Sequence, residues 1–475
     1  MDKLIARKSE IQELERLYQS SKAEFVVVYG RRRIGKTYLV NKLFSDRFVF
    51  TYVGSRLESA KTQLSRFARQ LRQYRNLPKT PVLRNWDEAF NELQELLESM
   101  PTSGRKVIFF DEMPWIDTPR SRFVSALEYF WNSWASKRDD IMFIACGSAT
   151  SWMINKLVRN RGGMYNRITS HIYLRPFTLS ECEEFLDLQG CNWDRYTILQ
   201  CYMAFGGVPF YLSMINPRES LVQNIDRLCF SRNGILHSEF DELFNALFED
   251  STKYSDVAVV LSTRREGLLR NEIIEKTGHS GGTLTKILDN LERCDFISKY
   301  SKYKSNIRNV LYRLSDPYLL FYFKFLHTNN SKDEQFWSHN IMSSSVLAWQ
   351  GYSFEMICLS HLQQIKKALG INGMATNSCS WRKIGNSEEQ GTQIDLLIER
   401  ADRIINVCEI KFSQGPYNIS KDYERQLRMK MSVFSQDTHV KKPLSLTMIT
   451  TFGVAQGKHS GVVNNEVIMD QLFDS

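Results

Sequence analysis

A glycine-rich segment near the start of the chain has the residue types and spacing of a phosphate-binding loop. It consists of Gly30, Arg31, Arg32, Arg33, Ile34, Gly35, Lys36 and Thr37. Its glycines let backbone N–H groups wrap a phosphate chain, and the dipole of a following helix adds to the attraction. We expect Lys36 to reach the β- and γ-phosphates and Thr37 to bind Mg²⁺. The segment predicts a site for ATP with Mg²⁺ rather than a chance loop, because the apolar run 25–29 (FVVVY) precedes it and a helical pattern follows.

Two adjacent acids at the end of another apolar run extend this predicted site. Asp111 and Glu112 follow residues 107–110 (VIFF). We expect Asp111 to bind Mg²⁺, usually through water, and Glu112 to orient and deprotonate an attacking water. Away from a phosphate-binding loop, the same pair of acids would often indicate a solvated turn.

Polar residues after the next apolar run are further candidates. Ser148 or Thr150 could sense the γ-phosphate, because ligands bind at the carboxyl ends of parallel strands, and a plain helix cap is the alternative. Arg161 or Arg167 could neutralise charge in the transition state, within one chain or across a subunit interface. A surface or structural arginine is the alternative for both.

Acids also occur inside apolar runs near the C-terminus. Asp395 lies in residues 393–399 (QIDLLIE), and Glu409 and Lys411 end the next run, which begins at residue 404. A buried carboxylate is costly unless it is paired, hydrogen-bonded or bound to a metal. Glu409 and Lys411 face the same side of one strand, and Asp395 on the adjacent hairpin strand can meet them. We expect the two acids to hold Mg²⁺ on a scissile phosphate and Lys411 to position or activate water.

This C-terminal pattern resembles the PD-(D/E)xK nuclease fold, although isoleucine rather than proline precedes Asp395. The resemblance implies an α/β restriction-endonuclease-like domain over residues 345–475. It also implies another catalytic acid from the preceding helix, where Glu355 fits, and a contribution of Gln426 or Lys421 from a later helix. A catalytically silent fold that binds DNA or closes an interface is the alternative.

The elements that would position these residues follow from hydrophobic patterning. Residues 1–176 alternate helical patterns with the short apolar runs 25–29, 48–53, 107–110, 141–146 and 172–174, which is typical of a parallel α/β sheet. Residues 177–250 read as a helical lid, with a predicted capping box at Ser180 and Glu183. Residues 251–320 follow the order of a winged helix-turn-helix, and a helix over 354–369, two strands and a helix over 423–434 come after it.

Basic residues are concentrated in the winged-helix segment. Residues 251–315 contain 12 Lys+Arg and 7 Asp+Glu, so they carry five of the chain's nine excess positive charges. The second helix of such a motif lies in the major groove, and a basic hairpin after it contacts phosphates. The residues expected at duplex DNA are Lys286, Lys299, Lys302, Lys304 and Arg308. A protein-contact module is the alternative, because charge alone does not identify a ligand.

Several motifs taken in order resemble a known family. GRRRIGKT, FFDEMPW, the GS of residues 147–148, MYNR before LRPFTLSE, and FGGVPFYL are similar to archaeal-type prokaryotic P-loop ATPases at the AAA+/STAND border. The resemblance covers nearly the whole chain and implies a winged helix after the lid, often with a nuclease-like C-terminal domain. It favours Arg167 over Arg161 as an arginine finger. Ala6 stands where the family usually has glycine.

Composition sets the outer limits of these interpretations. The chain has 475 residues, 43% hydrophobic and 24% charged, which is typical of a multidomain globular protein. Its nine cysteines form no CxxC pair, its eight histidines form no HExxH motif, and no apolar run is long enough for a membrane span. We therefore expect a cytoplasmic ATPase that could form a homo-oligomer. We expect its nucleotide state to regulate DNA binding and a metal-dependent nuclease-like domain. The alternative is an ATP-gated DNA- or protein-binding switch with a silent nuclease fold.

Overall fold

The chain forms two compact units, Met1–Pro176 and Phe177–Ser475. The computed structural model describes residues 4–101, 104–159, 162–164, 166–304, 310–329, 331–383 and 391–474. Within those ranges, none of the helices combines the length and apolar character needed to cross a membrane.

The first unit is built on a five-stranded sheet with the order β2-β3-β4-β1-β5, in which neighbouring strands run parallel. Its strands are β1 (Glu24–Tyr29), β2 (Phe48–Val53), β3 (Lys106–Asp111), β4 (Ile141–Gly147) and β5 (Ser170–Tyr173). All five strands were predicted from the apolar runs, and their ends differ from the prediction by at most two residues.

Helices flank both faces of this sheet. They are α1 (Lys8–Tyr18), α2 (Lys36–Phe44), α3 (Ala60–Arg75), α4 (Trp86–Glu98), α5 (Phe123–Ser133) and the single turn α6 (Thr150–Trp152), with short non-α turns at Met113–Trp115, Ala135–Lys137 and Met153–Val158. Alternate residues of β1 enter two different cores: Phe25 and Val27 pack on one side, Val26 and Val28 on the other. Burial of both faces explains why the predicted strands are apolar at nearly every position.

The second unit opens with helices. These are α7 (Leu179–Leu188), α8 (Arg195–Phe205), α9 (Pro209–Leu212), α10 (Leu221–Ile225) and α11 (Glu239–Leu247), with a π-helical turn at Asp226–Phe230. The predicted capping box is wrong by two residues. Thr178, not Ser180, accepts a hydrogen bond from the backbone N–H of Glu181. Glu183 instead forms an ion pair with Arg195, with 2.7 Å between Oε1 and Nε.

Three helices and a small antiparallel sheet follow. The elements are α12 (Ser251–Ser262), β6 (Leu268–Leu269), α13 (Arg270–Thr277), α14 (Gly281–Arg293), β7 (Ile297–Ser301) and β8 (Val310–Leu314), and the sheet order is β6-β8-β7. The sequence predicted the three helices and two of these strands. The two-residue strand β6 was missed because it is too short to show an alternating pattern.

The final part of the second unit contains a mixed five-stranded sheet with the order β13-β12-β11-β10-β9. It is preceded by α15 (Pro317–Phe321), a π-helical turn (Tyr322–Leu326) and α16 (Phe336–Asn340). Its strands are β9 (Thr376–Lys383), β10 (Thr392–Arg400), β11 (Ile405–Lys411), β12 (Leu444–Thr450) and β13 (Asn465–Ile468). The helices of this part are α17 (Ser344–Ser360), α18 (Leu362–Ala368) and α19 (Lys421–Thr438), with 3-10 turns at Ser460–Val462 and Met469–Phe473. The predicted helix over 354–369 is two helices that meet at His361.

The small antiparallel sheet contacts this mixed sheet within the second unit. Lys302 forms a backbone bridge with Ser380 of β9. The side chain of Tyr303 is buried in the core of the mixed sheet, 5.1 Å from the ring of Phe434 in α19, measured between centroids. The residues directly after β7 are therefore part of the packing of the C-terminal elements.

Candidate functional site

The phosphate-binding loop lies between β1 and α2, and two of its glycines are required by the backbone. Gly30 has φ 149°, and a Cβ atom there would lie 2.3 Å from the carbonyl oxygen of Leu174. Gly35 caps the N-terminus of α2 with φ 84°, in the left-handed region that favours glycine. The loop therefore curls tightly and directs the first N–H groups of α2, which lack partners within the helix, toward one point.

Lys36 and Thr37 lie at the start of α2 beside the end of β3. The buried ammonium of Lys36 donates to the carbonyl of Arg31 at 2.7 Å, inside the loop. The hydroxyl of Thr37 donates to Oδ2 of the buried Asp111, also at 2.7 Å. These groups fit Mg²⁺–ATP, because an ammonium and helix amides suit phosphate oxygens, and hydroxyl and carboxylate oxygens suit Mg²⁺.

Glu112 and Ser148 connect the ends of two neighbouring strands. Oε2 of Glu112 accepts the hydroxyl of Ser148 at 2.8 Å and its backbone N–H at 3.3 Å. Glu112 has φ 44°, a left-handed conformation that is uncommon for a non-glycine residue. The structure thus brings the predicted water-activating acid into contact with the predicted phosphate sensor. The side chain of Thr150 is buried and bonds the carbonyl of Ser148 at 3.4 Å.

The other predicted residues of the first unit differ in their exposure to solvent. Arg31 and Ile34 are buried, Arg33 is half-buried, and Arg32 and Arg167 are exposed. Arg161, the other arginine-finger candidate, lies outside the described residues. The sequence did not predict that Arg7 contacts the loop. Its guanidinium donates to the carbonyl of Arg175 at 2.5 Å and to that of Ile34 at 3.4 Å. Arg7 therefore links the N-terminal segment to the phosphate-binding loop.

The predicted C-terminal residues converge on neighbouring strands. Leu396 of β10 pairs with Cys408 of β11 in an antiparallel register, so Asp395 and Glu409 lie one position beyond this pair on the two strands. Nζ of Lys411 is 2.9 Å from Oε1 of Glu409. The convergence of these three side chains agrees with the geometry expected from the sequence.

Helix α19 adds two side chains to Glu409 that the sequence did not indicate. Nζ of Lys430 lies 2.6 Å from Oε2 of Glu409, and the hydroxyl of Tyr423 donates to Oε1 at 2.8 Å. Lys430 follows Tyr423 by seven residues, which is two helical turns, so both lie on the side that faces the sheet. The seven-residue spacing is the sequence feature that could have predicted both contacts. Lys421 and Gln426, the residues suggested by resemblance, are exposed.

Glu355 approaches from α17 and meets a cation from the small antiparallel sheet. Nη1 of Arg313, in β8, lies 3.8 Å from Oε1 of Glu355. Glu355, Asp395, Glu409, Lys411, Lys430 and Arg313 are together called the charge cluster below.

Burial dominates the electrostatics of the charge cluster. It raises the pKa of Glu355 to about 8, and the carboxylate of Asp395 adds to this effect. Burial also raises the pKa of Asp395, with Glu409 as the next cause. At Glu409 burial acts in the same direction, but the ammonium groups of Lys430 and Lys411 outweigh it and hold the pKa of this carboxyl below its usual value.

The charge cluster as arranged does not fit a divalent metal ion. Among the described residues, no group of three or more histidine, cysteine, aspartate or glutamate side chains is arranged to hold a metal. Both carboxylate oxygens of Glu409 contact an ammonium group, and Oδ1 of Asp395 accepts a hydrogen bond from Gln393 at 2.7 Å. Both oxygens of Glu409 and one oxygen of Asp395 are thus engaged by other side chains.

The residues predicted to contact DNA have different surroundings. Lys286 is exposed on α14. Lys299 pairs with Asp289 at 3.3 Å and Glu292 at 2.5 Å. Nζ of Lys304 lies 3.3 Å from the carbonyl of Thr438 at the end of α19. Lys302 bridges to the mixed sheet as described above, and Arg308 lies outside the described residues.

Comparison with known proteins agrees with the first of these sites. Residues 4–215 match a family described as an ATPase domain predominantly from Archaea. Over this range the chain is therefore similar to archaeal-type ATPase domains.

Individual proteins resemble the chain over different lengths. An uncharacterized protein of Methanocaldococcus jannaschii is 23% identical over 443 residues, which cover 92% of this chain and 94% of that protein. An uncharacterized ATP-binding protein of the same organism is 42% identical over 43 residues, or 9% of this chain and 73% of that protein. The solved structure of a Walker-type ATPase of Pyrococcus abyssi overlaps 68% of this chain and 96% of its own, with a TM-score of 0.48 and 17% identity.

Proposed function

We propose that the chain binds and hydrolyses ATP with Mg²⁺ at the carboxyl edge of the parallel sheet. The observation that carries this proposal is the 2.7 Å hydrogen bond from Thr37 to Asp111, because it joins the hydroxyl and the carboxylate that serve Mg²⁺ in P-loop sites. Lys36 and the N–H groups at the start of α2 would hold the phosphates. When bound, Mg²⁺ supplies charge neutralisation at the phosphate oxygens.

In this proposal the acid and its neighbours have distinct roles. Glu112 accepts the proton of the attacking water, and Ser148 fixes the direction of the Glu112 carboxylate through the 2.8 Å hydrogen bond between them. Arg167 is exposed, so we assign it to the phosphates of a second copy of the chain in a homo-oligomer.

Three variants and one control test the ATPase proposal. Lys36→Ala is expected to lower ATP affinity and turnover by on the order of 100-fold, because it removes a charge aimed at the phosphates. Glu112→Gln should keep ATP affinity and lose turnover, and Arg167→Ala should lower turnover only where the chain self-associates. Lys42→Ala, an exposed lysine of the same helix, is the control. Wild-type turnover by the Lys36 variant would overturn the proposal.

We also propose that residues 251–320 form a winged helix that contacts duplex DNA through α14. The exposed face of this helix carries Thr283, Thr285 and Lys286, which suits a groove-contacting helix. The hairpin is a weaker candidate, because Lys299 is paired with acids and Lys302 and Lys304 contact the C-terminal elements. In this proposal ATP regulates DNA affinity by binding two arrangements of the chain with different strength.

Salt-dependent DNA binding tests this second proposal. Lys286→Ala should reduce the slope of log affinity against log salt by about one for each phosphate that the variant no longer neutralises. Lys276→Ala, an exposed lysine on α13, is a matched control that should leave the slope unchanged. Affinity measured with ATP and with ADP reports the regulation. Binding that is absent or insensitive to salt would favour the protein-binding alternative.

The function of the C-terminal domain has two candidates, which share a nuclease-like fold. One is metal-dependent cleavage of DNA by Asp395, Glu409 and Lys411, with Glu355 as a further acid. The other is a catalytically silent domain that serves as a binding or regulatory module. The contacts of both Glu409 oxygens with lysines favour the silent domain, because those oxygens are the ones cleavage would require at a metal.

Cleavage assays separate these two candidates. Supercoiled, linear and single-stranded DNA would be incubated with Mg²⁺ or Mn²⁺, with and without ATP, using the wild-type protein and Lys411→Ala. Cleavage that is absent in the variant would establish a nuclease, and its dependence on ATP would report regulation. Absence of cleavage while ATP is still hydrolysed is the outcome we expect.

A further inference from the structure

Glu409 is the most completely engaged acid of the charge cluster. Lys411 and Tyr423 contact its Oε1 at 2.9 Å and 2.8 Å, and Lys430 contacts its Oε2 at 2.6 Å. Its side chain is only 5% exposed. A buried carboxylate requires compensating charge and hydrogen bonds, and here side chains of the same chain supply both.

The charge cluster contains as many cations as carboxyl groups without an added ion. Glu355, Asp395 and Glu409 contribute three carboxyl groups, and Lys411, Lys430 and Arg313 contribute three cations that contact or lie near them. A nuclease site built on carboxylates needs a divalent cation to offset their repulsion and to hold phosphate. In this cluster the side-chain cations already offset the repulsion between the carboxylates.

The position of Lys430 is built into the core of the domain. Leu427 and Phe434 of α19 are buried in the hydrophobic cluster beneath the helix. Lys430 lies three residues after the first and four before the second, so it is on the same helical face. Its side chain is 21% exposed, compared with 34% for Lys411. The packing of α19 therefore holds this ammonium against Glu409.

We propose that Lys430 takes the place of the divalent metal ion in this nuclease-like domain and closes the site to metal. The inference rests on the proposed silent function of the C-terminal domain and deepens it by naming the residue responsible. It implies that Asp395 and Glu409 can bind a divalent metal ion once the charge of Lys430 is removed.

Binding of Mn²⁺ to the full chain without nucleotide tests the proposal. All proteins would carry Asp111→Asn, so that the P-loop does not contribute. The parent is expected to bind no Mn²⁺ through Asp395. Lys430→Met is expected to bind it at least about tenfold more tightly, since changes beside metal ligands alter affinity by about 10- to 100-fold. Adding Asp395→Asn to Lys430→Met should abolish the gain.

A matched control separates this effect from the removal of any ion pair. Lys442 forms a comparable contact with Glu399 of β10, at 2.7 Å, so Lys442→Met should produce no gain in Mn²⁺ affinity. Lys430→Gln, which keeps a hydrogen-bond donor without the charge, serves if the methionine variant does not fold. It is expected to show the same gain.

Two results would overturn the inference. One is Mn²⁺ binding by the parent that Asp395→Asn removes. The other is a folded Lys430→Met or Lys430→Gln variant with no gain in affinity. Metal-dependent DNA cleavage by the wild-type protein that Lys411→Ala abolishes would overturn both the silent function and the inference. Failure of the Lys36 and Glu112 assays would contradict the ATPase proposal alone, so the two failures are distinguishable.

Discussion

Arg313 lies 3.8 Å from Glu355, measured from Nη1 to Oε1, and so joins the small antiparallel sheet to the charge cluster. The same guanidinium lies over the ring of Tyr300, with 4.3 Å from Cζ to the ring centroid. Arg313 is only 8% exposed. A buried cation held by an aromatic face and an acid is stabilised by both, and removal of either partner exposes the cost of burying it.

The first prediction concerns the energetic coupling of these two residues. We expect Arg313→Met to lower the free energy of unfolding of the second unit by about 1 to 3 kcal/mol, because it removes the contacts of the buried guanidinium with Glu355 and Tyr300. It should also raise the pKa of Glu355 further, since Arg313 is the group that lowers it most. Hydrogen exchange of peptides from α17 and β8 would measure the stability.

A double-mutant cycle with Glu355→Gln supplies the control. If the two residues act through each other, the double variant should lose less stability than the sum of the single variants, by about 0.5 kcal/mol or more. Additive losses would mean that Arg313 acts through Tyr300 alone.

The second prediction concerns the pH dependence of stability at His361. Burial lowers the pKa of this imidazole to about 4 from an ordinary value near 6.5. Its Nε2 accepts the backbone N–H of Leu179 at 3.2 Å, and Nδ1 lies 2.9 Å from the carbonyl of Ile357. The neutral ring therefore fits the site, because protonation of Nε2 would remove the acceptor that Leu179 uses.

The sign follows from where the proton binds. Between pH 6.5 and about 4 the unfolded chain takes up a proton that folded His361 excludes, so the stability contribution is present above pH 6.5 and is lost as pH falls to about 4. The loss amounts to at most about 3 kcal/mol. His361→Gln should flatten this part of the stability profile of the second unit, and His327→Gln, at an exposed residue, should not. Parallel profiles for His361→Gln and the wild type would refute the assignment.

The parallel sheet and the nucleotide site could be predicted because their signals are local. Gly30 to Thr37 are contiguous, and β1, β3 and β4 are mostly apolar because they are buried along their whole length. The hydrogen bond between Glu112 and Ser148 crosses 36 residues, yet the order of parallel strands made it foreseeable, since their carboxyl ends share one edge.

The charge cluster was only partly predictable because several of its interactions depend on tertiary packing. Asp395, Glu409 and Lys411 follow from the alternation of side chains on two hairpin strands. Lys430 comes from a helix whose rotation about its axis is fixed by Leu427 and Phe434. Arg313 comes from a sheet whose packing against the C-terminal elements has no sequence signature. The basic hairpin was interpreted from charge alone, which does not reveal that Tyr303 is buried.

The third prediction concerns backbone strain at Ala6. This buried residue has φ 60°, in the left-handed region where a Cβ atom costs about 1 to 2 kcal/mol. Ala6→Gly is expected to stabilise the first unit by about 0.5 to 1 kcal/mol, after the greater entropy of glycine in the unfolded chain is subtracted. Hydrogen exchange of β1 and β4 would measure it. Ala126→Gly, inside helix α5, should instead destabilise the unit by about 1 kcal/mol, and a loss of stability in both variants would contradict the prediction.

The fourth prediction concerns the hydrogen bond from Ser148 to Glu112. Ser148→Ala removes the 2.8 Å hydrogen bond and leaves only the 3.3 Å backbone hydrogen bond to hold the carboxylate. We expect ATP turnover to fall about tenfold while ATP affinity is unchanged, because the hydroxyl orients the acid and does not hold the phosphates in the proposed mechanism. Combining Ser148→Ala with Glu112→Gln should lower turnover no further than Glu112→Gln alone, since both act through one carboxylate. A weakened ATP affinity in Ser148→Ala, or a further decrease in the double variant, would instead assign Ser148 to direct contact with the γ-phosphate.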